Sequence, residues 1–409
     1  MAYPKPGPGV FERRDISFSQ KDVPALWLRA DERATRSYRM CGRGLRLRCD
    51  SGIYASRFEN AFRRLRLDTD PAPEPSSEIT FLTREAGPEG CPALLDREHG
   101  RIRVFEQEEV VPTQLFYCLA FMEMQMFPLA DHIILHGSAV ERQGKVTALV
   151  GMTNSGKSTL GLRLALEPNV AFLSDELCPV RLTDGIVDPF PRCLGLRHRA
   201  RKFLLEHKAI APDDVPSETP EVDVDPLSIR GLVLGSGGPI ENVVLLSGSG
   251  FAGRGSGVRL LNVQFVDESL VADLQAIPGV RDVRILEKPL GSGVALRIEV
   301  KEGARVTADI IRVCRVTHKM ELLGFLSPRA CRPDFTRPPC LVPVRTLEGI
   351  MELVRHLVNF HLLESRFAGS YSRLVDCLAA RLGHVKFFSL QPGPLEETSR
   401  LVRQQVLDG

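Results

Sequence analysis

The run Gly151-Met152-Thr153-Asn154-Ser155-Gly156-Lys157-Ser158-Thr159 has residue types and spacing that point to phosphate chemistry. Two glycines separated by four residues and followed by Lys-Ser satisfy the phosphate-loop pattern. The glycines let successive backbone N–H groups turn inward around phosphate oxygens, and the amino end of a following helix adds partial positive charge. Gly151, Thr153, Asn154, Ser155, Gly156, Lys157, Ser158 and Thr159 are therefore the expected phosphate-holding residues. Lys157 is placed to reach the β- and γ-phosphates of a nucleotide, and the Ser158 hydroxyl to coordinate Mg²⁺.

Transfer of a bound phosphoryl group to a hydroxyl calls for a residue that handles the acceptor's proton. Asp175 follows Lys157 by eighteen residues. A helix and a turn between them return the chain parallel to the strand that feeds the loop, so Asp175 is expected at the loop's edge of the sheet. A carboxylate there takes a proton from an attacking hydroxyl or holds Mg²⁺. Glu176 is the second candidate; a helix cap or surface acid is the alternative for either residue. His136 is expected on the strand antiparallel to the one entering the loop, with its register near the loop's start. A lone strand histidine is more often a satisfied core residue. Arg192 and Arg197 read first as structural or surface arginines, with a phosphate clamp as the alternative.

The elements that would position these groups are legible on either side. Ile133–Val140 reads as a strand, Gln143-Gly144-Lys145 as a turn, and Val146–Val150 as a strand running directly into the loop. Leu160–Glu167 has helical spacing, Pro168-Asn169 supplies a stop, and Val170–Ser174 is again a strand. The loop therefore sits between an apolar strand and a helix, the context its mechanism requires.

The remainder of the 409 residues divides by composition. Residues 1–14 read as a flexible Pro/Gly arm, 15–128 as a strand-rich domain, 129–257 as the loop-bearing core and 329–409 as that core's continuation. Between the last two, 258–328 alternates in the order βαββαβ, which predicts a ferredoxin-like insertion. Pro112–Phe127 is apolar and predicts a helix, 211–226 an acidic surface loop, Gly231–Leu234 a core strand, and 346–365 and 369–382 helices. Lys plus Arg number 53 against 51 Asp plus Glu, so nothing favours sequence-independent nucleic-acid binding. No apolar run approaches the roughly 20 residues of a membrane helix. The ten cysteines contain no CxxC pair, which argues against zinc or a disulfide framework and for free thiols in a cytoplasmic protein.

The hairpin leading into the loop, with His136-Gly137, GMTNSGKST and Leu173-Ser174-Asp175-Glu176, resembles the HPr serine kinase/phosphorylase family. The likeness is nearer to HPr kinase-like relatives, some of which modify ribosomally made peptides. It spans about residues 130–250 and, more loosely, the tail. It implies an α/β fold with an HPr kinase-like P-loop core, ATP and Mg²⁺ as ligands, and phosphorylation of a serine hydroxyl in a peptide or protein. By position, Asp175 is the implied proton-transfer residue, Ser158 and Asp175 the metal-side pair, and His136 takes the His-Gly position. Glu176 stands where the family has a second aspartate and Thr159 where the HPr kinases proper have glutamate. Those departures speak against phosphorolysis and against HPr as the target. The alternative class is a catalytically inactive, kinase-derived peptide-binding scaffold in peptide natural-product biosynthesis; a nucleotide-hydrolysing switch rests on the loop alone. Assembly as a homo-oligomer is left open.

Overall fold

Leu45, Leu47 and Cys49 are buried while Arg46 and Arg48 between them are partly exposed, the alternation of a strand with one covered face. In the computed structural model the described residues are 11–17, 31–67, 77–82, 93–96, 101–107, 131–151, 155–212, 221–246, 258–263, 266–285, 294–301, 307–318, 322–326, 335–354, 356–359, 367 and 371–409. They form two units, Met1–Ala130 and Asp131–Gly409.

The first unit is built on strands β1 (Phe11–Ser17), β2 (Asp31–Met40), β3 (Arg43–Cys49), β4 (Ser77–Leu82), β5 (Ala93–Asp96) and β6 (Arg101–Gln107). Their order is β1-β6-β5-β4-β3-β2, antiparallel except for the β3–β4 pair. Helix α1 (Gly52–Ala61) supplies Phe58, which meets Phe81 edge-on at 6.0 Å. Phe62, just beyond the helix, meets Tyr38 in the same way at 5.9 Å. Phe11–Arg14, read from sequence as the end of a flexible arm, are instead the first half of β1, paired with Val104–Gln107. Backbone pairing to β6 outweighs the turn-forming Pro/Gly residues that precede it.

In the second unit, β7 (His132–Arg142) and β8 (Lys145–Gly151) form a hairpin, followed by α2 (Lys157–Ala165), β9 (Ala171–Ser174), β10 (Leu177–Arg181), β11 (Ile186–Val187) and β12 (Leu194–Arg197). Helix α3 (His198–Glu206), β13 (Glu221–Val224) and β14 (Gly238–Leu246) come next. The tail adds β19 (Cys340–Val344), α6 (Thr346–Val354), α7 (Tyr371–Leu382), β20 (Lys386–Gln391) and α8 (Leu395–Val402). The sheet runs β11-β10-β7-β8-β14-β20-β19 with β9 also on β7; β8, β14 and β20 are mutually parallel. The carboxyl ends of those three strands, Gly151, Leu246 and Leu390, lie in register at one edge. Open α/β sheets bind ligands outside that edge.

Both faces of this sheet are covered, so its central strands are apolar on both sides. Val146, Ala148, Val150, Val243 and Leu245 pack with Ile350, Leu353, Leu374 and Leu378 of α6 and α7. Leu149, Val244 and Leu246 pack with Leu160 and Leu164 of α2, Phe203 and Leu204 of α3, and Val402 of α8. Each fully buried side chain of this kind contributes roughly 1.5–3 kcal/mol.

Within the same unit, β15 (Val258–Val263), α4 (Glu268–Gln275), β16 (Val280–Ile285), β17 (Val294–Val300), α5 (Thr307–Arg312) and β18 (Leu322–Leu326) have the order βαββαβ. Their own antiparallel sheet runs β16-β17-β15-β18, the connectivity of a split βαβ motif. Leu270, Leu274 and Ile310 from its helices bury Leu296, Ile298 and Val300.

Three local expectations are corrected. Gly231–Leu234 is not a strand; Leu234 makes a lone bridge to Phe172 and Val233 is 61% exposed. Within the expected acidic loop, Glu221–Val224 is β13, paired with β12, because Val222 and Val224 alternate toward the α2/α3 core. The helix expected over 346–365 ends at Val354: His136 N–H donates to His356 O and Val358 N–H to Ile134 O, so the edge of β7 captures the chain as extended backbone. The helix expected over Pro112–Phe127 lies outside the described residues. Among the described residues, no helix is long and apolar enough to cross a membrane, and none of the seven cysteines there is in a disulfide.

Candidate functional site

Strand β8 is buried from Val146 to Gly151 and delivers the glycine-rich run to the carboxyl edge of the sheet. Met152, Thr153 and Asn154 lie outside the described residues. Gly156, with φ of 95°, turns the chain into α2 from a left-handed conformation that favours glycine. Helix α2 lies close over β7, because a Cβ built on Gly161 would fall 2.2 Å from Ser138 Oγ. The Ser138 hydroxyl donates to Ser174 O at 3.1 Å, tying β7 to the end of β9 beside the loop. Ser155 is 2% exposed, and its Oγ has no hydrogen-bond partner among the described residues. Ser158 and Thr159 are half-buried in the first turn of α2.

Lys157, the first residue of α2, is buried at 6% exposure. Burial pushes its ammonium down to about 8; Asp175 opposes that shift, and the Arg197 charge adds to it. Lys157 and Asp175, expected at one edge from sequence, are therefore close enough to interact.

Asp175 and Glu176 interrupt what is otherwise one continuous strand along β7. Ser174 is opposite Ala139, and Leu177 is opposite His136. Leu177 N–H donates to Asp175 O at 2.8 Å, closing a three-residue turn with Glu176 at φ 66° in its centre. The Gly137 N–H donates to Glu176 O at 3.2 Å. A non-glycine residue held at positive φ inside a sheet is uncommon, and such conformations cluster at working sites. The kink separates the two acids: Asp175 is 7% exposed and faces Lys157's charge, whereas the Glu176 side chain is 56% exposed and ion-paired with Arg192.

His136 sits opposite this kink on one side; on the other, its neighbour Gly137 is paired with Val150 at the loop's entrance. Burial holds the imidazole well below its usual range, reinforced by Lys157, His356, Arg192 and Arg197. It is therefore neutral at pH 7, and the charges of Lys157, Arg192 and Arg197 act on it. Arg192 and Arg197, read first as structural or surface arginines, both act on this centre. His356 was missed by sequence reasoning: 220 positions separate it from His136, and nothing in its neighbourhood marks it as a partner. Its backbone carbonyl pairing with β7 brings it there.

The arrangement is a buried lysine and carboxylate at the mouth of a left-handed glycine turn, flanked by guanidinium groups and a neutral imidazole. Such a centre attracts a polyanion and offers one inward-facing carboxylate for proton transfer. The oxygen donors Ser158 and Asp175 suit a hard divalent cation such as Mg²⁺. No family model matches the chain, and no curated protein matches it.

Proposed function

We propose that this chain is an ATP-dependent kinase with an HPr kinase-like P-loop core, transferring phosphate to a hydroxyl, serine of a peptide or protein. The observation that carries the reading is the meeting of buried Lys157 and buried Asp175 at the edge where β8 releases the glycine-rich run. A glycine-lysine-serine run by itself binds phosphate; a carboxylate folded inward beside its lysine adds what group transfer requires.

In this reading the backbone N–H groups at the start of α2 and the Lys157 ammonium hold the β- and γ-phosphates. Ser158 and Asp175 would hold Mg²⁺, which neutralises charge between those phosphates when bound. The acceptor oxygen forms a bond to the γ-phosphorus while the bond from phosphorus to the β–γ bridging oxygen breaks, and ADP leaves with that electron pair. Asp175 takes the acceptor's proton. His136, uncharged, donates or accepts a hydrogen bond. Arg192 and Arg197 offset charge on the transferring group.

Calorimetric titration of Mg²⁺-ATP tests the reading directly. Wild-type protein should bind, and Lys157→Ala should lose at least about 100-fold in affinity. Asp175→Asn, which loses a Mg²⁺ carboxylate but keeps Lys157 and the backbone donors, should bind more weakly than wild type without losing the site. Absence of binding to the wild-type protein would refute the nucleotide site.

A further inference from the structure

We propose that Phe335 and Arg199 form the platform on which the base of the bound nucleotide stacks. The proposal rests on the nucleotide reading above and assigns a second part of the same ligand to residues that the glycine-rich run does not include.

Phe335 is far from that run in sequence but touches it in space. A Cβ built on Gly156 would lie 3.3 Å from ring carbon Cε1 and 3.6 Å from Cζ of Phe335. The Arg199 guanidinium, from the first turn of α3, lies over the same ring at 4.3 Å from its centroid. An aromatic ring and a planar guanidinium both present flat faces, which suit the π-face of a purine. Burying such a pair inside the core would explain it by packing alone. Here Phe335 is only half-buried and Arg199 is exposed.

The ring is also held rather than loosely draped. Two residues beyond it, Arg337–Pro339 lie hard against the loop that follows β20. A Cβ built on Gly393 would fall 2.1 Å from Arg337 O and 2.8 Å from Pro339 N. Pro338 and Pro339 fix the backbone there, and the Gly393 N–H donates to Thr398 Oγ1 at 2.9 Å. Phe335 is thus fixed beside the carboxyl edge of the parallel strands, where α/β sheets place their ligands. The phosphate end of the site is marked by Lys157, Arg197 and Ser155, whose buried hydroxyl has no partner among the described residues. The aromatic end adjoins it across Gly156. A ligand with a polyanionic end and a flat heterocyclic end matches both.

The experiment compares two probes, Mg²⁺-ATP and Mg²⁺-tripolyphosphate, by calorimetry on the full chain. Phe335→Ala should weaken Mg²⁺-ATP about tenfold or more and leave tripolyphosphate unchanged, since a lost base stack changes only the ligand that has a base. Phe335→Tyr, which keeps the ring, should retain ATP affinity. Equal ATP affinity in wild type and Phe335→Ala would overturn the proposal. So would tighter binding of both probes in the variant, which would make the ring a plug over the loop. Tripolyphosphate binding that Lys157→Ala abolishes, with ATP affinity indifferent to Phe335, would overturn the base platform while keeping the phosphate site. If wild type binds neither probe, both readings fall.

Discussion

Lys157 offers the sharpest quantitative prediction, because its ammonium is held at about 8 in the ligand-free protein. At pH 8 about half of the molecules therefore lack that proton. A polyphosphate in the site supplies unit negative charges; one at about 4 Å and an effective dielectric of about 20 is worth about 4 kcal/mol, or about three pKa units. In the complex Lys157 then stays protonated through pH 9, so binding must draw protons from solvent. The uptake is the unprotonated fraction of the free protein: about 0.1 proton at pH 7, about 0.5 at pH 8 and about 0.9 at pH 9. Integrating that uptake, apparent affinity for Mg²⁺-ATP falls about tenfold between pH 7 and pH 9.

The sign is opposite to what a titrating acid would give, since affinity is fullest below the free-state pKa and lost as pH rises through it. The assay is calorimetry in buffers of different ionisation enthalpy, where the slope of observed against buffer enthalpy counts protons. The window is chosen to isolate Lys157. A nucleotide's terminal phosphate ionises near pH 6, and His136 is already neutral by pH 7. Lys157→Met should remove the uptake, and Asp175→Asn should enlarge it at pH 7, because that carboxylate is what raises the lysine's pKa. Intact binding with a slope near zero at pH 8, or an unchanged slope in Lys157→Met, would refute the assignment of Lys157 to the phosphates.

Two further predictions concern the scaffold. Gly161→Ala places a methyl 2.2 Å from Ser138 Oγ and should cost about 1–3 kcal/mol, read as a lower urea midpoint. Ser138→Ala in the same chain should recover only part of it, since the Ser138 Cβ is itself 3.0 Å away. Asn359 accepts from Ile134 N–H at 2.9 Å and donates to His132 O at 2.7 Å, completing the edge of β7 as a strand would. Asn359→Ala leaves both buried backbone groups unmet and should lower stability by at least about 2 kcal/mol, with faster amide exchange at Ile134.

Much of the site's frame was legible because it is local. The strand Val146–Val150, the glycine-rich run and the helix behind it are adjacent in the chain, and the β7–β8 turn fixes their register. That is enough to place Gly137 opposite Val150 and so His136 at the loop's entrance. The βαββαβ order of 258–328 was legible for the same reason, each period being long enough to identify its element. The extent of α6 was not, because Leu357–Asn359 has no strand-like signal of its own and becomes extended only where β7 offers an unpaired edge.

By itself the sequence determined that the glycine-rich run sits between a strand and a helix, and that Asp175 and Glu176 follow at the next strand's end. Only the tertiary structure gave those two acids different surroundings. The kink at Glu176 turns one carboxylate toward the buried Lys157 and the other out to Arg192. Only the tertiary structure brought His356 to His136, and Phe335 and Arg199 to Gly156. Side-chain periodicity reports which face of an element is covered, but not which distant element covers it. Those contacts are fixed by how the strands, helices and loops pack together, with a loop-closure cost that grows only slowly with the length of chain between them.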